Sequence, residues 1–209
     1  MDSKPNGQVE MEKVIEALEG RKPSLLLHSC CGPCSTAVLE RLMPYFDLSV
    51  YFYNPNIHPV AEYQRRKEEL IRYLEKVGIP HLEEEYQPRD FFDRITGMEE
   101  EPEGGKRCVA CFGLRLEKTA MRGVDLGAAF FATTLTVSSK KDSRRINAIG
   151  NEIAEKVGQI AYLPSDFKKK GGGLRSLELS KAEGMYRQGY CGCIYSKTES
   201  EKRHEKQVR

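Results

Sequence analysis

Seven cysteines stand in three short clusters of this 209-residue sequence and are its most reactive set of side chains. The clusters are Cys30-Cys31-Gly-Pro-Cys34, Cys108-Val-Ala-Cys111 and Cys191-Gly-Cys193. Cysteines two or three residues apart can turn their sulfur atoms toward one centre, as thiolate ligands do in metal sites. We therefore predict that all seven cysteines bind metal. Because a four-iron cluster takes at most four thiolates, one cluster leaves three cysteines for another use.

Two other uses of these cysteines stay open at this point. Two Cys-x-x-Cys pairs would hold a structural zinc ion, and the chain would then be a zinc protein that binds nucleic acid without catalysis. The segment Cys31-Gly-Pro-Cys34 is also found in thioredoxin-like dithiol oxidoreductases. The third cluster exceeds the need of one zinc site. The additional Cys30 and the absence of tryptophan do not fit a thioredoxin-like enzyme.

The composition is that of a soluble globular protein, with 39% hydrophobic and 31% charged residues. The longest aliphatic run, at 25–27, is too short to span a bilayer, and residues 1–20 lack the apolar stretch of a signal peptide. We therefore expect a cytoplasmic protein without a membrane partner. In a reducing cytosol, an odd number of cysteines favours metal ligation over disulfides.

The distribution of charge and apolar residues predicts one domain with short flanking segments. Residues 1–8 are expected to form a flexible lead, residues 9–196 a single α/β metalloenzyme domain, and residues 197–209 a charged tail. The tail carries no apolar stripe that could pack on the domain.

Buried strands alternate with amphipathic helices along the domain. Apolar runs predict strands at 24–28, 48–53, 128–132 and 159–163, with a weaker one at 81–85. Apolar periodicity predicts helices at 9–18, 36–43, 63–77, 142–157 and 176–185, a short helix at 90–95, and one that opens at Cys108. This order is typical of a mainly parallel, Rossmann-like sheet with helices on both faces. The turns after the first and fourth strands then meet at one edge, and the first cysteine cluster lines the crevice there.

Positive charge is concentrated in two segments, although the net charge is only +2. The first segment contains Lys140, Lys141 and Arg144, and follows a run rich in hydroxyl groups. The second contains Lys168, Lys169 and Arg175 around three consecutive glycines. Both segments could bind phosphate or a nucleic-acid backbone. An ordinary solvated loop followed by a helix cap would have a similar sequence.

The motifs together resemble a known family. HSCCGPCS, KRCxxCFxLRLxKTA, TTLTxSxKK, DFKKKGG and YRQGYCGCIYS occur here in the order found in the cobalamin-independent epoxyqueuosine reductases. The resemblance covers residues 24–196 and includes every cysteine. It implies a fold similar to adenine-nucleotide α-hydrolases, in agreement with the predicted sheet.

The resemblance also implies a reaction, cofactors and partners. The reaction is the reductive deoxygenation of epoxyqueuosine to queuosine in tRNA, the last step of queuosine modification. The cofactors are a [4Fe-4S] cluster and one additional iron ion, and the partners are the tRNA and an electron donor that the sequence does not identify. In this hypothesis the lone iron is a Lewis acid for the epoxide oxygen and the cluster relays electrons.

Such a reaction needs a proton donor and a surface for RNA. The candidate acids are His28, Asp142, Asp166 and Tyr190. His28 could equally be a structural residue at the end of a strand, and Asp142 a helix cap. The basic side chains expected to contact tRNA phosphates are Lys140, Lys141, Arg144, Lys168, Lys169 and Arg175.

Overall fold

A computed structural model describes residues 6–208, in which helices surround one five-stranded sheet. The strands are β1 (Ser24–His28), β2 (Asp47–Phe52), β3 (His81–Glu83), β4 (Phe130–Thr133) and β5 (Ala161–Tyr162). The helices are α1 (Gly7–Ala17), α2 (Gly32–Leu42), α3 (Val60–Val77), α4 (Pro88–Arg94), α5 (Lys106–Asp125), α6 (Ser143–Val157), α7 (Gly172–Ala182) and α8 (Ile194–Val208), with a 3-10 turn at Thr134–Val137. Within the described residues, no helix combines the length and apolar character needed to cross a membrane.

The sheet has the order β3-β2-β1-β4-β5, and every neighbouring pair is parallel. The prediction of a parallel Rossmann-like sheet is therefore confirmed. The chain leaves β1 toward β2 on one side and later returns to β4 on the other. Ligands bind in open α/β sheets at such a reversal, beyond the carboxyl ends of the two central strands. Here those ends lead to Cys30 and, through the 3-10 turn, to Lys140.

Side chains of β1 alternate between two hydrophobic cores, one on each face of the sheet. Leu25 and Leu27 belong to the core that includes residues of α2 and α3, whereas Leu26 belongs to the core that includes residues of α5 and α6. None of the three leucines is more than 1% exposed. A strand covered on both faces must be apolar throughout, which explains the uninterrupted Leu-Leu-Leu sequence.

The two ends of the predicted domain differ from the structure. Helix α1 begins at Gly7 rather than at residue 9, because Asn6 caps it by accepting a hydrogen bond from the Gln8 backbone N–H at 3.2 Å. Residues 7 and 8 therefore belong to a helix, and residues 1–5 of the predicted lead lie outside the described residues. The predicted charged tail is helical through Val208 as part of α8. The division into one domain remains a prediction.

A tight contact between α6 and β5 gives a test of this packing. A Cβ added to Gly150 would lie 2.5 Å from the ring of Tyr162, which is buried and hydrogen bonded to Asn147. Gly150→Ala should therefore lower the free energy of unfolding by about 1–3 kcal/mol in urea denaturation, as overpacking does. Asn151→Ala, at the next and exposed position, should be neutral or slightly stabilising because alanine favours helix. Equal effects of the two changes would contradict this packing.

Candidate metal centres and substrate pocket

The first cysteine cluster lies where β1 ends and α2 begins. Cys31 precedes the first residue of α2 in an extended conformation, and Cys34 lies in the first turn of that helix. The sulfur atoms of Cys30 and Cys31 are 3.9 Å apart, and those of Cys30, Cys31 and Cys34 all lie within 4.8 Å of one another. In the described part of the chain this is the one group of three or more potential metal ligands that is so close. We call it the three-cysteine centre.

The other four cysteines line one enclosed cavity. Cys108 and Cys111 lie on the first turns of α5, while Cys191 and Cys193 lie in the segment that precedes α8. Polar side chains of Asn56, Glu103, Arg107, Arg115 and Ser196 complete the wall with Phe91 and Phe112. We call this the four-cysteine centre. The structure thus divides the seven cysteines into three and four, a division that the spacing in the sequence left open.

Buried Arg66 of α3 holds the third cysteine pair in place. Its side chain is 1% exposed and donates to the backbone carbonyls of Cys191 at 3.0 Å and Tyr190 at 3.3 Å. Its Nε atom pairs with the Glu62 carboxylate at 2.7 Å. The His58 backbone N–H donates to the Gly192 carbonyl at 2.8 Å. A segment without regular secondary structure is therefore fixed by a guanidinium group and by backbone hydrogen bonds.

Crowding of thiols in the three-cysteine centre separates their pKa values. The pKa of Cys30 is lowered well below its ordinary value by hydrogen bonds from the thiols of Cys31 and Cys34. The pKa of Cys31 is raised to about 12 by its hydrogen bond with Cys30, and that of Cys34 is raised by both neighbours. Three such sulfur atoms ionise together only when a cation lies among them, and metal ions remove thiol protons in this way.

The four-cysteine centre also has the chemistry of a metal site. Burial raises the pKa of the Cys111 thiol to about 12 and that of Cys108 above its ordinary value, so both resist ionisation without a cation. The buried Nη2 atom of Arg115, which borders the same cavity, has no hydrogen-bond partner among the described residues. Thiol ligands and an unused donor around one cavity fit a bound group that carries negative charge.

A pocket of about 360 Å³ connects the two centres to the surface. Cys30 and Cys34 from one centre and Cys191 from the other contribute to its lining. Its remaining wall includes Ser138, Ser139, Lys140, Lys141, Lys168, Arg187, Gln188 and Tyr190. The volume is within the range of small-molecule sites. The predicted crevice between the first and fourth strands is therefore present and has a cysteine floor and a basic rim.

Tyr190 is the one predicted acid that lines this pocket. Its hydroxyl donates to the His58 carbonyl at 3.0 Å, and burial raises its pKa to about 12. Asp166 is 7% exposed and pairs with Lys168 at 2.7 Å in a neighbouring groove. Asp142 caps α6 by accepting from the Arg144 backbone N–H at 3.0 Å. The structure therefore brings only Tyr190 toward the cysteines.

His28 is enclosed in the core and lies apart from the pocket lining. It is 0% exposed, and burial lowers its pKa to about 4. Its Nε2 atom is 3.2 Å from the Tyr53 carbonyl and must donate there, while its Nδ1 atom lies 3.0 Å from the Thr133 hydroxyl. The ring joins β1 to β4 as a neutral imidazole, which agrees with the structural alternative for this residue.

Five of the six predicted phosphate ligands surround two adjoining concavities. Lys140, Lys141 and Lys168 line the pocket, and Arg144 and Lys169 line a groove of about 430 Å³ that shares Lys141 and Lys168 with it. Arg175 is engaged elsewhere, because its guanidinium forms two hydrogen bonds of 3.0 and 2.9 Å with Glu40 of α2.

Several residues of the site were not predicted from the sequence. Gln188 donates to the Cys31 sulfur at 3.0 Å, and Arg187 of the pocket wall donates to the Ser180 hydroxyl at 2.7 Å. Arg66 and Arg115 are each 1% exposed. Arginine is rarely buried, and its position on an otherwise apolar helix stripe was the signal that could have identified both residues.

The fold and the site define a doubly wound α/β protein whose clustered cysteines suit metal binding at the floor of a basic pocket. A sequence model of the family described as "Epoxyqueuosine reductase QueH" matches residues 25–199. The chain belongs to this family.

Two curated relatives extend the match over nearly the whole chain. The epoxyqueuosine reductase QueH of Streptococcus pyogenes serotype M1 is 43% identical over 204 residues, covering 92% of this chain and 80% of the relative. That of Haemophilus influenzae is 45% identical over 202 residues, covering 96% and 82%. Similarity of this extent includes the parts of the fold that carry all three cysteine clusters.

A solved structure supports the fold at low sequence identity. The U34-tRNA thiolase NcsA from Methanococcus maripaludis, solved with its [4Fe-4S] cluster, superposes with a TM-score of 0.54 at 12% identity. The match covers 96% of this chain and 71% of that protein. Its fold is of the adenine-nucleotide α-hydrolase kind, as expected from the sequence.

Gly192 separates the last two cysteines and provides a test of the four-cysteine centre. Its φ of +132° disfavours any side chain, and an added Cβ would lie 3.1 Å from the Arg66 Nη1 atom. Gly192→Ala should cost about 1–3 kcal/mol of stability through backbone strain and should reduce the metal bound per chain. Gly189→Ala is the control, because an added Cβ there meets nothing within 4 Å. Metal analysis and thermal unfolding of both variants measure these effects. Equal metal content in the two variants would contradict a role of Gly192 in shaping the four-cysteine centre.

Proposed function

We propose that this protein is an oxidoreductase that removes the epoxide oxygen of epoxyqueuosine in tRNA and leaves queuosine. Family membership supports the reaction, and the observation that carries it in this chain is the pocket with a cysteine floor and a lysine rim. Loss of the oxygen as water consumes two electrons and two protons. The protein must therefore hold a redox group and a proton source near one small substrate.

The two cysteine centres suit two different iron groups. Sulfur atoms bound to one ion at about 2.3 Å can be at most about 4.6 Å apart. The 3.9 Å between the sulfur atoms of Cys30 and Cys31 meets that limit. All three sulfur atoms of the centre lie within 4.8 Å of one another, which is close to the same limit. We assign the lone iron to Cys30, Cys31 and Cys34. Three protein ligands leave a position for substrate, as in catalytic metal sites.

The four-cysteine centre suits the [4Fe-4S] cluster. Its sulfur atoms surround a cavity and are not gathered as closely as those of the first centre. Four thiolates are the usual protein ligands of such a cluster. When bound, the two iron groups would supply the electrons and a Lewis acid for the epoxide oxygen. Cys191 belongs to this centre and also lines the pocket, so the substrate would lie close to both groups.

The side chains of the pocket then provide proton and charge. The half-buried Lys141 ammonium is kept protonated, because the sulfur atoms of Cys191, Cys30 and Cys34 outweigh the effect of burial and raise its pKa. It would stabilise negative charge on the oxygen as the C–O bond opens. The Tyr190 hydroxyl, at the same pocket, is the proton donor in this proposal. Gln188 would orient Cys31 through their hydrogen bond.

Cysteine variants test both the function and the metal assignment. Anaerobically purified protein should contain about four sulfides and about five irons per chain, and should convert epoxyqueuosine-containing RNA to queuosine. Cys111→Ser should lose sulfide and most of the iron. Cys34→Ser should lose about one iron, retain its sulfide, and lose turnover because only the open metal position is affected.

The same measurements separate the alternatives. One zinc per chain without sulfide or turnover would support a structural zinc protein. A metal-free protein with a redox-active Cys31–Cys34 pair would support a dithiol oxidoreductase. Equal loss of sulfide in Cys111→Ser and Cys34→Ser would contradict the assignment of the two centres. It would not contradict the proposal that the protein is a reductase.

The tRNA surface can be tested by salt dependence. Lys140 and Lys169 are exposed at the pocket and its adjoining groove, and each is expected to neutralise a phosphate. Lys140→Gln and Lys169→Gln should each weaken tRNA binding. Each should also make the negative slope of log affinity against log salt shallower by about one. Arg175→Gln is the matched control, because Glu40 already neutralises this side chain and the slope should change less. A larger change of slope in Arg175→Gln than in the two lysine variants would contradict the assignment of tRNA binding to this pocket and groove.

A further inference from the structure

Arg115 of α5 is a buried cation without a carboxylate partner. Its side chain is 1% exposed, and its Nε atom donates to the backbone carbonyl of Cys111 at 3.2 Å. Its Nη2 atom is buried without any hydrogen-bond partner among the described residues. Across residues 6–208, no Asp or Glu side chain forms an ion pair with it. Arg66 and Arg107, which are equally buried, pair with Glu62 and Glu199 respectively.

An uncompensated guanidinium in the interior is strongly unfavourable, and proteins pair or coordinate such charges. One carboxylate, Glu103, lines the cavity beside Arg115, and it pairs with Arg203 at 3.0 Å. The cavity bordered by Arg115 is also the one lined by the four cysteines. An anionic group held by these thiolates would supply the counter-charge that Arg115 lacks.

We propose that Arg115 is the counter-ion of the group bound in the four-cysteine centre, with its free Nη2 donor directed to the sulfur of that group, and that it raises the reduction potential there. Thiolate-held iron centres are anionic, and each gains further negative charge when it accepts an electron. A fixed cation in a low-dielectric cavity favours the reduced state and raises the potential. Arg115 is thus a positioning and tuning residue rather than a catalytic one, and this inference rests on the metal binding proposed above.

The location of Arg115 places its effect at the four-cysteine centre. It donates to the Cys111 carbonyl and borders the cavity that the four cysteines line. Lys141 is another cation near cysteines, but it lines the pocket with Cys30, Cys34 and Cys191, where substrate and solvent have access. Arg115 is enclosed and is therefore permanently available as a counter-charge before substrate binds.

The experiment compares Arg115→Gln with Arg115→Lys and Lys118→Gln in protein reconstituted with iron and sulfide. Lys118 is the matched control, because it is exposed, lies on the same helix and loses the same charge. Arg115→Gln should shift the reduction equilibrium toward the oxidised state at least about tenfold, or about 59 mV to lower potential for one electron. Arg115→Lys should retain most of the wild-type potential, and Lys118→Gln should match wild type. Redox titration followed by electron paramagnetic resonance measures these values without substrate.

The stability of the metal-free and loaded proteins is measured as well, in case Arg115→Gln loses the cluster or fails to fold. Chelated, metal-free Arg115→Gln should be at least as stable as metal-free wild type, because the substitution removes an uncompensated buried charge. The loaded variant should be less stable than loaded wild type, or should retain less iron. An unchanged potential with full iron content in Arg115→Gln would overturn the inference, as would an equal shift in Lys118→Gln or destabilisation of both forms alike. Because no RNA is used, the outcome is independent of whether wild type reduces epoxyqueuosine.

Discussion

Sulfur atoms from three distant segments of chain must converge at one edge of the sheet, and this requirement shapes much of the structure. Thiols crowded to 3.9 Å cannot all ionise without positive charge nearby, as the opposite pKa shifts of Cys30 and Cys31 illustrate. The fold supplies that charge in the form of buried Arg115 and half-buried Lys141. It also supplies rigidity where the backbone is irregular, through the contacts of Arg66 with the segment around Cys191. Cations therefore fix both the electrostatics and the geometry of the cysteine region.

The doubly wound sheet explains why this convergence is possible. The carboxyl ends of β1 and β4 are adjacent, so a turn with Cys30 and a turn with Lys141 reach the same pocket although more than a hundred residues separate them. The remaining cysteines come from the first turns of α5, whose apolar residues share a core with Leu26 of β1, and from the segment between α7 and α8. The same placement of a site would serve other chemistries, since the fold alone does not define the reaction. The cysteine division and the basic rim are what favour reduction of a nucleic-acid substrate.

Much of the fold was predictable because local signals and tertiary structure agree. The apolar run of β1 predicts only a buried strand, and the apolar stripe of α6 predicts only an amphipathic helix. The parallel order of the strands follows from the alternation of strands and helices along the chain. The start of α1 was missed because Asn6-Gly7 is typical of a turn, while here Asn6 is a helix cap. The charged segment after residue 196 offers no apolar stripe, yet Ser196 is buried and ion pairs such as Arg203 with Glu103 join the helix to the domain. Contacts of that kind depend on which surfaces meet, and a sequence does not reveal them.

The site was predictable in its ligands but not in their division or their surroundings. Spacing identifies Cys108 and Cys111 as partners, but it cannot show that Cys191 and Cys193 join them while Cys30, Cys31 and Cys34 stay separate. Residue type also failed for the acids, because His28, Asp142 and Asp166 have conventional chemistry but are committed to a core hydrogen bond, a helix cap and an ion pair. In Arg115 the opposite holds, since a residue usually found at the surface is buried beside sulfur. In our proposal, the sulfur atoms of a bound metal group carry the negative charge that offsets the cost of burying this guanidinium.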